Sequence, residues 1–408
     1  MADGRILHVG GSYVNYVNVF DPILPVGSQW NNPPAPDMMF DRWYPTSTTL
    51  ADGRVLVTSG WRCSPYHTGN PTSCDPGENP FVRTPELYDP ATNTWDLLWV
   101  ADREQWIYPF MFVLPDGRIV DAGPRDTSFL DPATWTWSGS IPDPTYPNPL
   151  PLPPGEHGSA VMYEPGKIMR CGGSERLVRA VATTWVVDLN NDGVGWLNAE
   201  PMNKKRRNHN LVVLPDGKVL AVGGNELDLA GGVGSVDAVL EAEIFDPASG
   251  KWTLQPPSHP DHPRMYHSTA MLLPDGRVVS AGGNTYPTAQ IFKPPYITSG
   301  APRPIITFAD LYMQYGQTYT VQYNQNGGPV VTRACLIRLA SVTHGFDQDQ
   351  RRVPLGISTE TPPGTLDITA PADANIAPPG FYMLFILNEY AANQFAPCEM
   401  AAYVQIGP

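Results

Sequence analysis

Short apolar runs, each opened by a tight polar turn and closed by glycine, recur along this chain and predict β-hairpins. One unit appears six times: Asp-Gly-Arg or a close variant, a short apolar strand, then one or two glycines. The copies run Asp3-Gly4-Arg5 to Gly10-Gly11, Asp52-Gly53-Arg54 to Gly60, Asp116-Gly117-Arg118 to Gly123, Pro165-Gly166-Lys167 to Gly172-Gly173, Asp216-Gly217-Lys218 to Gly223-Gly224, and Asp275-Gly276-Arg277 to Gly282-Gly283. Asp-Gly between apolar runs is a hairpin signal, because glycine accepts the positive φ of a tight reversal. A second turn recurs further along three units: Tyr88-Asp89-Pro90 to Trp95, Leu130-Asp131-Pro132 to Trp137, and Phe245-Asp246-Pro247 to Trp252. There the tryptophan is expected to pack beside the residue that precedes Asp-Pro.

The turn glycines stand 49, 64, 49, 51 and 59 residues apart, the length of one four-stranded blade of a kelch-type propeller. From about Pro294 the pattern changes. Runs at Tyr319–Tyr323, Ala334–Leu339, Leu366–Thr369, Tyr382–Leu387 and Ala401–Ile406, separated by Pro- and Gly-rich turns, predict an immunoglobulin-like β-sandwich. The expected fold is all-β, with a propeller over residues 1–297 and a sandwich over 298–408.

Composition agrees and narrows the partners. With 37 Gly and 46 Pro among 408 residues the chain is rich in turns, and 11 Trp, 18 Tyr and 13 Phe spread along it exclude disorder. A net charge of −14 argues against nucleic acid, and Lys204-Lys205-Arg206-Arg207 reads as a solvated loop. No apolar run is long enough to span a membrane. No signal peptide is visible after Met1. Cys63 and Cys74 bracket a loop rich in small and turn-forming residues and are candidates for a disulfide, as are Cys335 and Cys398, while Cys171 reads as a small buried residue. An extracellular, periplasmic or cell-surface location is favoured, and a monomer is expected.

Nine residues before the turn glycines lie Tyr44, Tyr108, His157, Asn208 and His267, at the start of each innermost strand, where a propeller faces its axis. Tyr108, His157 and Asn208 read first as residues that hydrogen-bond across the channel. Tyr44 and the pair Tyr266-His267 carry more. Arg42-Trp43-Tyr44 before Leu50-Ala51-Asp52-Gly53-Arg54, Arg264-Met265-Tyr266-His267-Ser268 before Leu273-Pro274-Asp275-Gly276-Arg277, and Thr343-His344 before Asp349-Gln350-Arg351-Arg352-Val353-Pro354-Leu355 together resemble the copper radical oxidases, the family of galactose and glyoxal oxidases. Pro378-Pro379-Gly380-Phe381-Tyr382-Met383-Leu384-Phe385 extends the likeness through the C-terminal region.

The resemblance implies one copper ion held by Tyr44, Tyr266, His267 and His344, a donor set of imidazole and phenolate that suits Cu(II). It also implies that Tyr44 is the radical that takes hydrogen from the substrate carbon and that Tyr266 is the base for the hydroxyl proton. The reaction would turn a primary alcohol, aldehyde hydrate or carbohydrate into an aldehyde or acid, with O2 reduced to hydrogen peroxide. Arg206, Trp61, Tyr108 and His157 are carried as candidate substrate contacts, Arg206 and Trp61 against the alternatives of a solvated loop and packing on the Cys63–Cys74 loop.

In the family the radical tyrosine is joined by a thioether to a cysteine at the same register in the preceding blade. Counted from Gly4, that position falls before Met1, so the cross-link is not possible within this chain. Family propellers have seven blades and this chain shows six hairpins. N-terminal truncation is favoured over an open derivative, since an unpaired edge at Ile6–Val9 would invite aggregation. A plain tyrosine is harder to oxidise than a thioether-substituted one, so weakened activity is expected. The rival readings are a catalytically inactive kelch propeller that binds a metal or a glycan, and a structural kelch protein of the cell surface.

Overall fold

The computed structural model describes residues 1–12, 14–63, 74, 78–123, 126–142, 158–175, 179–191, 195–227, 237–283, 286–358 and 364–407. The chain divides into two compact units, residues 1–143 with 377–380, and residues 144–376 with 381–408.

The first unit is built from antiparallel sheets in sequence order. Ile6–Val9 pairs with Val17–Phe20; Thr46–Thr49, Val55–Thr58, Glu86–Asp89 and Thr94–Leu97 form a four-stranded meander; and Met111–Val113, Ile119–Ala122, Thr127–Asp131 and Thr136–Ile141 form a second. Two apolar layers lie between neighbouring sheets. Leu56 and Leu87 of one meander meet Met111, Ile119 and Leu130 of the next, and Val17 and Met38 pack on Val57.

The second unit continues the series. Four-stranded sheets span Ser159–Glu164 to Leu197–Asn198 and Arg207–Val213 to Lys251–Pro257, followed by a three-stranded sheet over Ser268–Leu272, Val278–Gly282 and Ala289–Phe292. After a single helical turn at Pro295–Thr298, two sheets joined through Arg352–Ile357 make the C-terminal β-sandwich. Its strands at Thr318–Asn324, Val331–Arg338, Thr365–Thr369, Gly380–Ala391 and Ala402–Gly407 contain or closely overlap the expected runs. The fold class is therefore all-β, with propeller-type blades followed by a β-sandwich.

The turn that opens each blade differs in detail from a two-residue Asp-Gly reversal. Leu50 N–H donates to Arg54 O at 2.8 Å and Gly53 N–H to Leu50 O at 3.0 Å, which makes a three-residue loop whose last position needs the left-handed conformation. Gly53 supplies it with φ 87°, and the other five turn glycines have φ between 75° and 90°. The aspartate and arginine that flank the glycine serve the same turn. Asp52 accepts from Arg54 N–H at 3.0 Å and Nε at 2.8 Å, and Asp3–Arg5, Asp116–Arg118 and Asp275–Arg277 repeat the pattern. In the outer turns Tyr88 faces Trp95, Leu130 faces Trp137 and Phe245 faces Trp252 in register, as the repeat predicted.

The cysteines divide. Cys63 and Cys74 form a disulfide. Cys335 and Cys398 are buried free thiols, which corrects the pairing expected of them, and Cys171 is buried and free with its sulfur 3.4 Å from His209 Nε2. Burial favours the uncharged form of each thiol and raises Cys398 to about 12.

Candidate metal centre

Among the described residues, the segments leading into four of the blades end on a residue with left-handed backbone. Tyr44, Tyr108, Asn208 and His267 have φ of 65°, 47°, 56° and 65°. His344, in the C-terminal domain, has φ 50°. Left-handed backbone at a tyrosine is uncommon and costs on the order of 1–3 kcal/mol, so surrounding contacts must hold it. His157, the fifth residue of the register, lies outside the described residues.

A repeated device holds the lead-in segments. Arg42 is fully buried and donates to Ser59 O, Thr84 O and Glu86, whose carboxylate also accepts from Met39 and Phe40 N–H. Arg206 repeats this with Gly223 O, Glu241 O and Glu243, and Glu243 accepts from Asn203 and Lys204 N–H. The carbonyls of Arg42, Arg206 and Arg264 accept from Gly11, Gly173 and Gly224 at the end of a preceding strand pair. The expectation that Arg206 either reaches substrate or lies in a solvated loop is corrected: it is 0 % exposed and its guanidinium is committed to Glu243.

In the first unit Tyr44 is flanked by aromatic rings. Trp43 stacks on it with centroids 4.0 Å apart, and Tyr108 stacks at 4.8 Å. Trp61 packs on the far neighbour, Trp43, at 5.0 Å, and on Trp106 and Phe81. The indole stacked on Tyr44 is thus that of the residue before it in sequence.

In the second unit Tyr266, His267 and His344 converge. Ring centroids lie 3.9 Å apart for Tyr266–His267, 4.6 Å for His267–His344 and 5.5 Å for Tyr266–His344. Consecutive residues bring two donors to one place because the left-handed backbone at His267 bends the chain. The third arrives on a short hairpin, Val342–Thr343 with Phe346–Asp347. Several contacts that the sequence did not announce fix that hairpin. Asp347 accepts from the N–H groups of Ser341, Asp349 and Gln350. Gln350 clasps the strand Arg207–Val213, accepting from Val213 N–H at 2.6 Å and donating to Leu211 O at 3.0 Å. Ser159 Oγ donates to Gly345 O, and Gly345 lies so close to His209 that an added Cβ would stand 2.6 Å from its carbonyl.

The chemistry of this group fits a metal. Burial and the neighbouring His267 press His344 down to about 3, so it is a neutral imidazole near pH 7, the form that coordinates. Thr343 Oγ1 lies 2.7 Å from His344 Nδ1, which directs coordination to Nε2 and orients the ring. Among the described residues no three His, Cys, Asp or Glu side chains cluster, so a metal here must draw on the phenol of Tyr266 as well as the imidazoles. Two imidazole nitrogens and a phenol oxygen match copper, not the all-oxygen shell of calcium or the closed sulfur and nitrogen shell of structural zinc.

Comparison with known proteins agrees with this geometry. Residues 159–299 match the family model "Glyoxal oxidase N-terminus", and residues 303–393 match "Galactose oxidase-like, Early set domain". A galactose oxidase of Gibberella zeae is 28% identical over 95% of this chain and 57% of its own length. The aldehyde oxidase GLOX of Vitis pseudoreticulata is 28% identical over 95% of this chain and 78% of its own. The chain spans little more than half the length of the Gibberella relative. Among solved structures, a fungal alcohol oxidase of the AA5 family in complex with copper superposes with a TM-score of 0.81 at 26% identity, covering 99% of this chain and 83% of that one. Both halves of the match, the blade region and the early set domain, point the same way: the chain belongs to the copper radical oxidase family.

Proposed function

We propose that this chain is a copper-dependent oxidase that converts a primary alcohol to an aldehyde, or an aldehyde hydrate to an acid, while O2 becomes hydrogen peroxide. The observation that carries the reading is the convergence of Tyr266, His267 and a neutral His344 within one compact unit. The family resemblance assigns Tyr44 as a further ligand. Copper, if bound, would supply a one-electron acceptor. Tyr266 takes the proton of the substrate hydroxyl as general base, and Tyr44, in its oxidised form, takes a hydrogen atom from the carbon. His267 and His344 hold their nitrogens in place and exchange no proton with substrate.

Cys63 is joined to Cys74, Cys171 lies against His209, and Cys335 lies against Pro215 O, which accounts for these cysteines without a thioether to Tyr44. A phenol without that bond is harder to oxidise, and for Tyr44 in that form the second reading is a metal-binding propeller with little turnover. Tyr108, half-buried and stacked on Tyr44, is a candidate for the substrate approach, with His157 at the same register. The Cys63–Cys74 disulfide supports an oxidising compartment outside the cytosol. No described helix is long and apolar enough to cross a membrane. The partners proposed are a small alcohol, aldehyde or carbohydrate and O2, acting on a monomer.

Copper loading followed by metal analysis and a peroxide-coupled assay with glyoxal, galactose and benzyl alcohol tests both readings. Stoichiometric copper and peroxide release support the oxidase; copper without peroxide supports the binding module. Copper affinity unchanged by both Tyr266→Phe and His344→Ala would remove the site assignment.

A further inference from the structure

Tyr44 is one ring in a longer series within the first unit. Tyr108 and Trp43 stack on it at 4.8 Å and 4.0 Å, with interplanar angles of 25° and 23°. Trp43 meets Trp61 at 5.0 Å, and Trp61 meets Trp106 at 6.1 Å. Phe81 braces the far end, 6.2 Å from Trp61 and 5.3 Å from Trp106. The series runs inward, since Trp61 is 3 % and Trp106 5 % exposed. Packing alone accounts for an aromatic cluster, and such pairs stabilise by about 0.5–1.5 kcal/mol each beyond their burial. Packing does not require every ring but Phe81 to be an indole or a phenol, the side chains that most readily give up one electron.

We propose that Trp43, Trp61 and Trp106 relay an oxidising equivalent away from Tyr44 when it is oxidised and no substrate is at hand. The inference rests on the reading of Tyr44 as the redox-active side chain. In the step proposed, one electron leaves the indole of Trp61 and passes through Trp43 to the Tyr44 phenoxyl. The phenol oxygen takes up one proton from solvent and re-forms its O–H bond. Trp61 is left as an indole radical cation, which releases its Nε1 proton or takes an electron from Trp106 in turn. One electron moves and one proton is gained at Tyr44; the oxidant is the phenoxyl itself. The relay would carry a damaging radical from the substrate side into a buried cluster.

The test is peptide mapping by mass spectrometry of copper-loaded protein oxidised with hexacyanoferrate(III) without alcohol, with electron paramagnetic resonance followed in parallel. Oxidation products are expected at Trp61 and Trp106 ahead of Trp30 and Trp99, although the latter are 61 % and 63 % exposed. Tyr44→Phe and Trp43→Phe should each abolish the products at Trp61 and Trp106. Trp61→Phe, which keeps an aromatic ring in the core, should abolish those at Trp106 and lengthen the life of the oxidised state, read as the time for which the Cu(II) signal stays silenced. Preferential oxidation of Trp30 and Trp99, or oxidation of Trp61 that survives both Tyr44→Phe and Trp43→Phe, overturns the relay. Loss of the Cu(II) signal on oxidation, as a bound phenoxyl couples to the metal, with Trp61 and Trp106 left unoxidised sinks the relay alone. A Cu(II) signal that oxidation leaves unchanged, with no phenoxyl signal beside it, sinks the reading of Tyr44, and the relay with it.

Discussion

At the scale of single residues, two members of the candidate centre, His267 and His344, stand on left-handed backbone, and Thr343 holds the second. His344 shows this best: φ is 50°, its imidazole is kept neutral by burial, and Thr343 touches Nδ1, so that Nε2 is the nitrogen that would hold a metal. Replacing Thr343 by valine keeps the shape and removes that contact. Copper affinity is expected to fall by about 10–100-fold, with the thermal unfolding of the metal-free protein little changed; isothermal titration of copper into wild type and variant measures it. The ligand candidates were legible in the sequence through the family resemblance of the segments that carry Tyr266-His267 and His344, and without it His344 reads as an ordinary loop histidine. Thr343, Asp347 and Gln350 fall in the same motif region, but nothing in their types announces a role in orienting an imidazole.

At the scale of elements, the structure turns on how loops are pinned to strands. Gln350 satisfies both a donor and an acceptor on the strand Arg207–Val213, so Gln350→Leu leaves Val213 N–H and Leu211 O without that partner. The loss is expected at about 1–3 kcal/mol in denaturant unfolding, accompanied by weaker copper binding because the His344 hairpin loosens. Gln350→Glu, which preserves the acceptor to Val213, should lie between wild type and leucine. The buried Arg206–Glu243 pair predicts a larger effect. Glu243→Ala strands a guanidinium at 0 % exposure and frees the N–H groups of Asn203 and Lys204, for an expected loss of roughly 3–5 kcal/mol. An unchanged midpoint in the same measurement would show that water replaces the carboxylate.

At the scale of the whole molecule, buried titratable groups shape the response to pH in opposite directions. Burial, with a smaller contribution from Arg206, lowers His209 to about 3 from its ordinary 6.5, so the unfolded chain binds a proton there that the folded one does not. Between those values stability rises with pH. Burial raises Asp121 and Asp347 to about 7 from 3.8, although hydrogen bonds from Gln105 and Gly123 to the first, and from the backbone of Ser341, Asp349 and Gln350 to the second, pull the other way. There the folded state binds the extra proton, and stability falls as pH rises from about 4 to 7. Asp121→Asn removes one of the two opposing carboxyls. Its unfolding midpoint relative to wild type is expected to improve as pH goes from 4 to 7, which thermal melts across that range would show.

Taken alone, the sequence determined the blades, their turns and the two-part architecture, because these depend on residues within a few positions of one another. Gly53 must take positive φ where it stands, and Asp52 and Arg54 bond across it wherever the rest of the chain goes. The family resemblance of their motifs likewise made Tyr266, His267 and His344 candidates for one centre. Tertiary structure decided what surrounds them. It put Arg206 in a buried ion pair, left Cys335 and Cys398 as separate thiols, set Trp43 on Tyr44, and brought Gln350 to a strand 137 residues earlier in the chain. The physical reason is that burial and packing depend on partners distant in sequence, whereas a turn is settled by its own residues.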